Sequence, residues 1–231
     1  MNLTEEINCQ PRSLRELLNE LLSSCQKDKA EFSLQLNKKI VELIDILSQI
    51  LEGLYFIHSQ KEVHRDLKPE NGHLPSSSVL TLVLFSCIHQ RWKIADFGTT
   101  SEGTSQHLSP TLSSRGTAVY RGPEVIQERG YNSKSDIWAF GCIAYELFGK
   151  EKAFRGDWET VQYRGSTPKR VFRGLIWPSG DVAQLAKDLS QSCVDKTLRY
   201  SWRDRTSAKE ILETLCALRI RSERIILQPL C

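Results

Sequence analysis

The sequence lacks an excess of either charge: 31 basic residues against 28 acidic ones leave a formal net charge of +3. That balance gives no electrostatic footprint for nucleic acid or a membrane surface, and neither is expected as a partner. Long apolar runs are missing too. The longest, Val79 to Ile88, is broken by Thr81, Ser86 and Cys87 and is about half of what a bilayer crossing needs. The seven cysteines are irregularly spaced, odd in number and without a C-x-x-C pair. This argues against a zinc site or a disulfide framework and favours a reducing compartment. Met1 to Cys9 carries Glu5 and Glu6 and no apolar core, unlike a secretory signal. The expectation is an intracellular protein, cytoplasmic or nuclear.

What is present is ordinary globular composition, with 40% hydrophobic and 26% charged residues in a length suited to one large domain. Ser13 to Glu16 has capping-box spacing, and Leu14, Leu17, Leu18, Leu21 and Leu22 follow at helical intervals to near Ser24. Gln26 to Glu31 reads as a loop. A longer helix carries Ile40, Leu43, Ile44, Leu47, Ile50, Leu51, Leu54 and Ile57 on one stripe. Val79 to Phe85 and Arg91 to Ala95 read as short strands. Thr99 to Thr117 holds ten Ser/Thr residues with Gly103, Pro110 and Gly116, the composition of a long loop. Ile137 to Phe148 is apolar on all sides and predicts a buried helix, and Asp181 to Leu189 predicts another. A second capping box at Ser207 to Glu210 opens a last helix through Leu218. The chain reads as mostly helical with one small strand pair and no interdomain linker.

Four motifs stand in order: His64-Arg65-Asp66-Leu67-Lys68-Pro69-Glu70-Asn71, then Ala95-Asp96-Phe97-Gly98, then Gly116-Thr117 through Tyr120-Arg121-Gly122-Pro123-Glu124, then Ser135-Asp136-Ile137-Trp138. Any one alone is weak. Together, in this order, they resemble the eukaryotic protein kinase family, serine/threonine type. The resemblance implies a mostly α fold within an α+β family: a helical C-terminal lobe, residues 12–223, with a small β-hairpin near the catalytic loop. Residues 1–11 would be a hinge-like segment and 224–231 a tail.

The resemblance also implies roles. Phosphoryl transfer needs positioning and charge neutralisation more than covalent chemistry. Asp66 would accept the proton of a protein Ser or Thr hydroxyl, and Lys68 would place positive charge on the transferring group of ATP. Asn71 and Asp96 would ligate Mg²⁺ through hard oxygens. Arg65 would bind a phosphate placed on the Thr99–Thr117 segment by an upstream activating kinase. Thr117 and Lys68 match the serine/threonine branch. Asp136 would hold the catalytic-loop backbone, and Glu124 and Arg205 would form a buried ion pair. His58, His73, His89 and His107 show no ligand spacing and read as incidental.

The chain departs from the family pattern in three places. Gly53 is the only glycine upstream of Asp66, so these residues hold no G-x-G-x-x-G loop, and no lysine there has the family's strand context. The expectation is a chain that carries the helical lobe and lacks the smaller, β-rich N-terminal lobe. Losing one preorganised charge-stabilising donor typically costs about 2.7–4 kcal/mol of transition-state stabilisation, so little turnover is expected of these residues alone. If the smaller lobe is absent, apolar surface should be exposed where it would dock. Next, Asn71 and Asp96 lie far apart for the family, and the excess falls in 72–90. That insert is either an elongated strand-loop-strand or translated intron. Sequencing transcripts across it separates these: uniform presence of the codons leaves the strand reading, and a spliced message lacking them leaves the intron. Finally, Gly122 stands where the family usually has alanine, a change expected to cost little.

Overall fold

The computed structural model describes residues 29–68, 83–86, 89, 91–111, 116–128, 130–149, 151–163 and 180–227. The helix expected at 13–24, Asn71 and most of the 72–90 insert lie outside the described residues.

Helix α1 (Lys29–Ser59) is the long axis of the fold. Leu36, Ile40, Leu43, Ile44, Leu47, Ile50, Leu51 and Leu54 recur at three- and four-residue steps and are all buried. The helix begins earlier than the loop expected through Glu31, because Lys29 to Glu31 are all residues a helix tolerates well. It stops where Lys61 takes φ 61°, a left-handed residue that a helix cannot continue through. Strand β1 (Glu62–Val63) starts directly after, so the end of α1 fixes where the His64–Lys68 loop begins.

Three short antiparallel pairs surround that loop. β2 (Val83–Ser86), inside the 72–90 insert, pairs with β3 (Arg91–Ile94) in the register Val83↔Ile94 to Ser86↔Arg91. This is the expected hairpin, as far as the described residues reach. β1 pairs with β4 (Ser101–Glu102), and β5 (Ser109–Pro110) pairs with β6 (Gly130–Tyr131). The Ser/Thr-rich segment is therefore stitched down twice, which its composition did not signal. Each pair contributes only two residues, too few for a periodicity to register.

Helix α2 (Ser133–Gly149) is buried on almost every side, as its all-round apolar character requires. Its start is capped reciprocally. The Asn132 side-chain oxygen accepts the Lys134 N–H at 2.9 Å, and the Asn132 N–H donates to Ser135 Oγ at 3.2 Å. Then follow the short α3 (Asp157–Gln162), α4 (Asp181–Ser190) and α5 (Ala208–Leu227). α5 lies along α1. The two are joined inside the core, where Asn37 Nδ2 donates to the Ser222 carbonyl at 3.2 Å and Ser222 Oγ donates to Asn37 Oδ1 at 2.7 Å. α5 runs beyond the expected end at Leu218, and Ser222 in that extension finds its partner Asn37 on α1.

The second capping box forms as read. Glu210 Oε2 accepts both the N–H and the hydroxyl of Ser207 at 2.7 Å, and the Glu210 N–H reaches Ser207 Oγ at 3.3 Å. The Ser207 backbone donor first, and its hydroxyl second, hold the Glu210 carboxyl below its ordinary 4.5. A carboxyl lowered in this way contributes stability above its unfolded-state value and loses it as pH falls through the lowered one. Ser207→Ala should cost about 0.5–2 kcal/mol at neutral pH in a chemical melt. The melting-temperature gap between Glu210→Gln and the unaltered chain should be open at neutral pH and close below the ordinary 4.5.

Candidate active site

The loop between β1 and Lys68 hangs on one carboxylate. Asp136, in the first turn of α2, is 1% exposed. Its Oδ2 accepts the His64 N–H and its Oδ1 the Arg65 N–H, both at 2.9 Å. His58 Nε2 lies 2.9 Å from the same Oδ2. His58 is thus not incidental, as its sequence context suggested: it closes the third side of the Asp136 carboxylate from the end of α1. The two are 78 positions apart, and no local spacing could have revealed the pair. His64 is fully buried, and its Nε2 sits 3.0 Å from the Ala95 carbonyl. Thr99 Oγ1 donates to the His64 carbonyl at 2.9 Å. The two loops that carry Asp66 and Asp96 are therefore cross-tied through one imidazole and one hydroxyl.

Two of the expected site residues have strained backbone. Arg65 has φ 75° and Asp96 φ 59°, both in the left-handed region that side chains other than glycine seldom adopt. Such conformations cost about 1–3 kcal/mol each and persist only where the surroundings over-determine them. Here the Asp136 carboxylate holds the Arg65 N–H, and Asp96 Oδ1 accepts the Gly98 N–H at 3.0 Å.

Asp66, Lys68 and Thr117 form a closed ring. Asp66 Oδ1 accepts the Thr117 N–H at 2.9 Å and its hydroxyl at 3.1 Å. Lys68 Nζ donates to Asp66 Oδ2 at 3.3 Å and to Thr117 Oγ1 at 3.1 Å. Among the described residues this fills both sites of Oδ1 and leaves Oδ2 room for one further donor. It also leaves Lys68 one unused N–H. An acceptor able to take a hydroxyl proton and a cation able to meet an anionic oxygen thus stand side by side.

Asp96 keeps Oδ2 without a partner among the described residues. A free carboxylate oxygen of this kind fits a hard cation such as Mg²⁺. Asn71, its expected companion, lies outside the described residues. No group of three or more His, Cys, Asp or Glu side chains that could hold a metal occurs among those described.

Arg65 turns its guanidinium to the Ser/Thr-rich segment. It donates to Ser101 Oγ at 2.8 Å and Thr111 Oγ1 at 3.3 Å, and lies over the Tyr131 ring at 3.9 Å. The segment's many hydroxyls gave no reason to single out Ser101 or Thr111. The expected ion pair of Glu124 and Arg205 is bidentate and buried, with Nη1–Oε1 at 2.8 Å and Nη2–Oε2 at 2.7 Å. Ser135 Oγ donates to Glu124 Oε1 at 2.8 Å. Arg205 is further fixed by the carbonyls of Arg199 and Lys134, both at 2.8 Å. Burial lowers the pKa of Lys134, which donates to the Arg205 carbonyl at 2.5 Å, so the pair has a cation beside it that is itself partly desolvated.

Gly122 is not the neutral exchange its letter suggested. A Cβ there would stand 2.6 Å from Glu124 Oε1 and 2.7 Å from Oε2. That carboxylate is clamped by Arg205 and cannot swing away cheaply. Next to β3, Phe56 and Phe97 are 66% and 55% exposed, beside a groove that Gln49, Glu52, Trp92 and Ile94 help to line.

The chain matches the protein kinase domain over residues 8–215 and belongs to the protein kinase family. It is 31% identical over 192 residues to a probable cell division protein kinase of Encephalitozoon cuniculi, covering 81% of this chain and 65% of that protein. It is 38% identical over 155 residues to the serine/threonine-protein kinase nekl-2 of Caenorhabditis elegans, covering 67% and 40%. A cyclin-dependent kinase 4 homolog of Caenorhabditis elegans is 30% identical over 215 residues, covering 84% and 50%. The aligned part thus spans less than two thirds of each of these relatives. No helix among the described residues is long and apolar enough to cross a membrane.

Arg205→Met should remove about 3–5 kcal/mol of stability by leaving the Glu124 carboxylate buried and unpaired, read from urea melts. Gly122→Ala should cost about 1–3 kcal/mol through the forced displacement of the same carboxylate.

Proposed function

We propose that this chain is the helical lobe of a protein serine/threonine kinase, transferring the γ-phosphoryl of ATP to Ser or Thr hydroxyls of a protein substrate. The observation that carries the reading is the Asp66–Lys68–Thr117 ring. Asp66 Oδ2 takes the hydroxyl proton as the substrate oxygen bonds to the γ-phosphorus. The bond from phosphorus to the β-γ bridging oxygen breaks, and ADP leaves. Lys68 meets the negative charge on the transferring group. Asp96 and Asn71 would hold Mg²⁺, which when bound neutralises charge on the nucleotide phosphates. Asp136, Glu124 and Arg205 support the loops and stay out of the chemistry. Arg65, already against two hydroxyls, fits a phosphate on the Ser101–Thr111 stretch, which an upstream kinase would add.

As these 231 residues stand, no glycine-rich loop precedes Asp66. We infer that the isolated chain turns over weakly or not at all, because these residues supply no glycine-rich loop of backbone donors to meet the nucleotide phosphates. The exposed Phe56 and Phe97 support the expectation of a bare apolar docking face. The same exposure favours a second reading, a catalytically inactive kinase-like module that binds other proteins.

Differential scanning fluorimetry of the purified chain separates the two. Mg·ATP should raise the melting temperature, and Asp96→Asn should abolish that rise; no rise with the unaltered chain favours the interaction module or a fragment that keeps no nucleotide site. In a radiolabelled phosphotransfer assay the isolated chain should give little product. Robust transfer that Asp66→Ala abolishes would refute the inference of weak turnover and keep the assignment of Asp66.

A further inference from the structure

The ring at Asp66 is held at one end by the backbone of Thr117, and something has to hold that backbone. The Gly116–Thr117 peptide is trans, as are all the described peptides. Its carbonyl oxygen and its N–H belong to one rigid plane and point in opposite directions. The N–H is the one that donates to Asp66 Oδ1 at 2.9 Å. The carbonyl oxygen at the other end of the plane is gripped twice by one guanidinium: Arg121 Nε donates to it at 2.9 Å and Arg121 Nη2 at 2.5 Å. Gly116 itself has φ 89°, and a Cβ on it would stand 2.7 Å from the Arg65 carbonyl, so glycine is required where the plane turns.

Arg121 is fixed in its turn. Its Nη1 donates to Asp157 Oδ2 at 2.9 Å, on the first residue of α3. The other oxygen, Asp157 Oδ1, is buried with no partner among the described residues. The Asp157 side chain is 37% exposed, so Arg121 shares the compensation of that charge with solvent. A planar fork suits this arrangement, since it addresses a carbonyl through two donors and a carboxylate through a third, which an ammonium cannot do in one geometry.

We propose that Arg121 and Asp157 are positioning residues for Asp66: through the Gly116–Thr117 peptide plane they set the direction of the N–H that orients the Asp66 carboxylate, and they couple that carboxylate to α3. The consequence for turnover rests on the reading of Asp66 as the proton acceptor. The mechanical coupling does not, and it is tested without activity. A partner or substrate that shifts α3 moves Asp157, tilts the plane and turns Asp66. This gives α3 a route to the site that does not pass through the Asp136 anchor.

The test is residue-resolved hydrogen exchange and NMR on the full chain, for Arg121→Lys, which keeps the charge and loses the fork, and Asp157→Asn, which keeps the shape and loses the charge. In both, exchange of the Thr117 amide should speed up by about tenfold or more, the effect of weakening one hydrogen bond to a charged group. The carboxyl-carbon resonance of Asp66 should move with it, while amides of α2 exchange at the unaltered rate. Trp158→Ala, on the same short helix and 76% exposed, should leave Thr117 and Asp66 as they were. The proposal is overturned if Thr117 and Asp66 are unchanged in either Arg121→Lys or Asp157→Asn. It is also overturned if the loss of protection spreads equally over α2, or if Trp158→Ala reproduces it. Absence of a Mg·ATP shift in the unaltered chain would count against a surviving nucleotide site and leave this result standing.

Discussion

One buried carboxylate organises the lobe. Asp136 sits at the start of a helix that is enclosed on nearly every side, and it is shut off from bulk solvent. Its oxygens must be met by donors, and the donors it finds are the backbone N–H groups of His64 and Arg65 and the ring of His58. Satisfying that carboxylate and placing the loop that carries Asp66 and Lys68 are one event. The cost of leaving such a group unpaired is what makes the placement firm. The left-handed backbone of Arg65 is tolerated because its own N–H is one of the donors.

A second layer fixes the segment facing that loop. The Glu124–Arg205 pair is buried and bidentate, with additional partners on both sides, and it ties the stretch after Thr117 to the region before α5. Tyr120 Oη adds a bond of 2.8 Å to Glu146 on α2, and burial together with that carboxylate pushes its phenol well above the usual range. Thr117 therefore stands on a floor that hydrogen bonds and ion pairs support from α2, α3 and the approach to α5. The strained and polar elements cluster where the chemistry is expected, while α1 and α5 supply ordinary apolar packing behind them.

Much of this was legible in the residues. The stripe of α1, the all-round apolar character of α2 and the capping box at Ser207 name their structures directly, because each is a local periodicity or a three-residue reach. The ring of Asp66, Lys68 and Thr117 forms from residues singled out by motif, and so does the Glu124–Arg205 pair. Other features were not legible. His58 looked like a spare histidine, Arg121 was only part of a motif, and Gly122 looked interchangeable. Each takes its meaning from a partner in another part of the backbone: Asp136 across the core, a carbonyl at Gly116, and a carboxylate immobilised from position 205.

The amino-acid order by itself determined the courses of α1, α2, α4 and α5 and the Ser207 cap, since these depend on neighbours within a turn or two. It could not set which hydroxyls Arg65 would meet, which peptide plane would face Asp66, or that a glycine would press against a clamped glutamate. Those depend on distances between segments tens of residues apart. Only packing the elements around one buried carboxylate brings such segments within hydrogen-bonding reach.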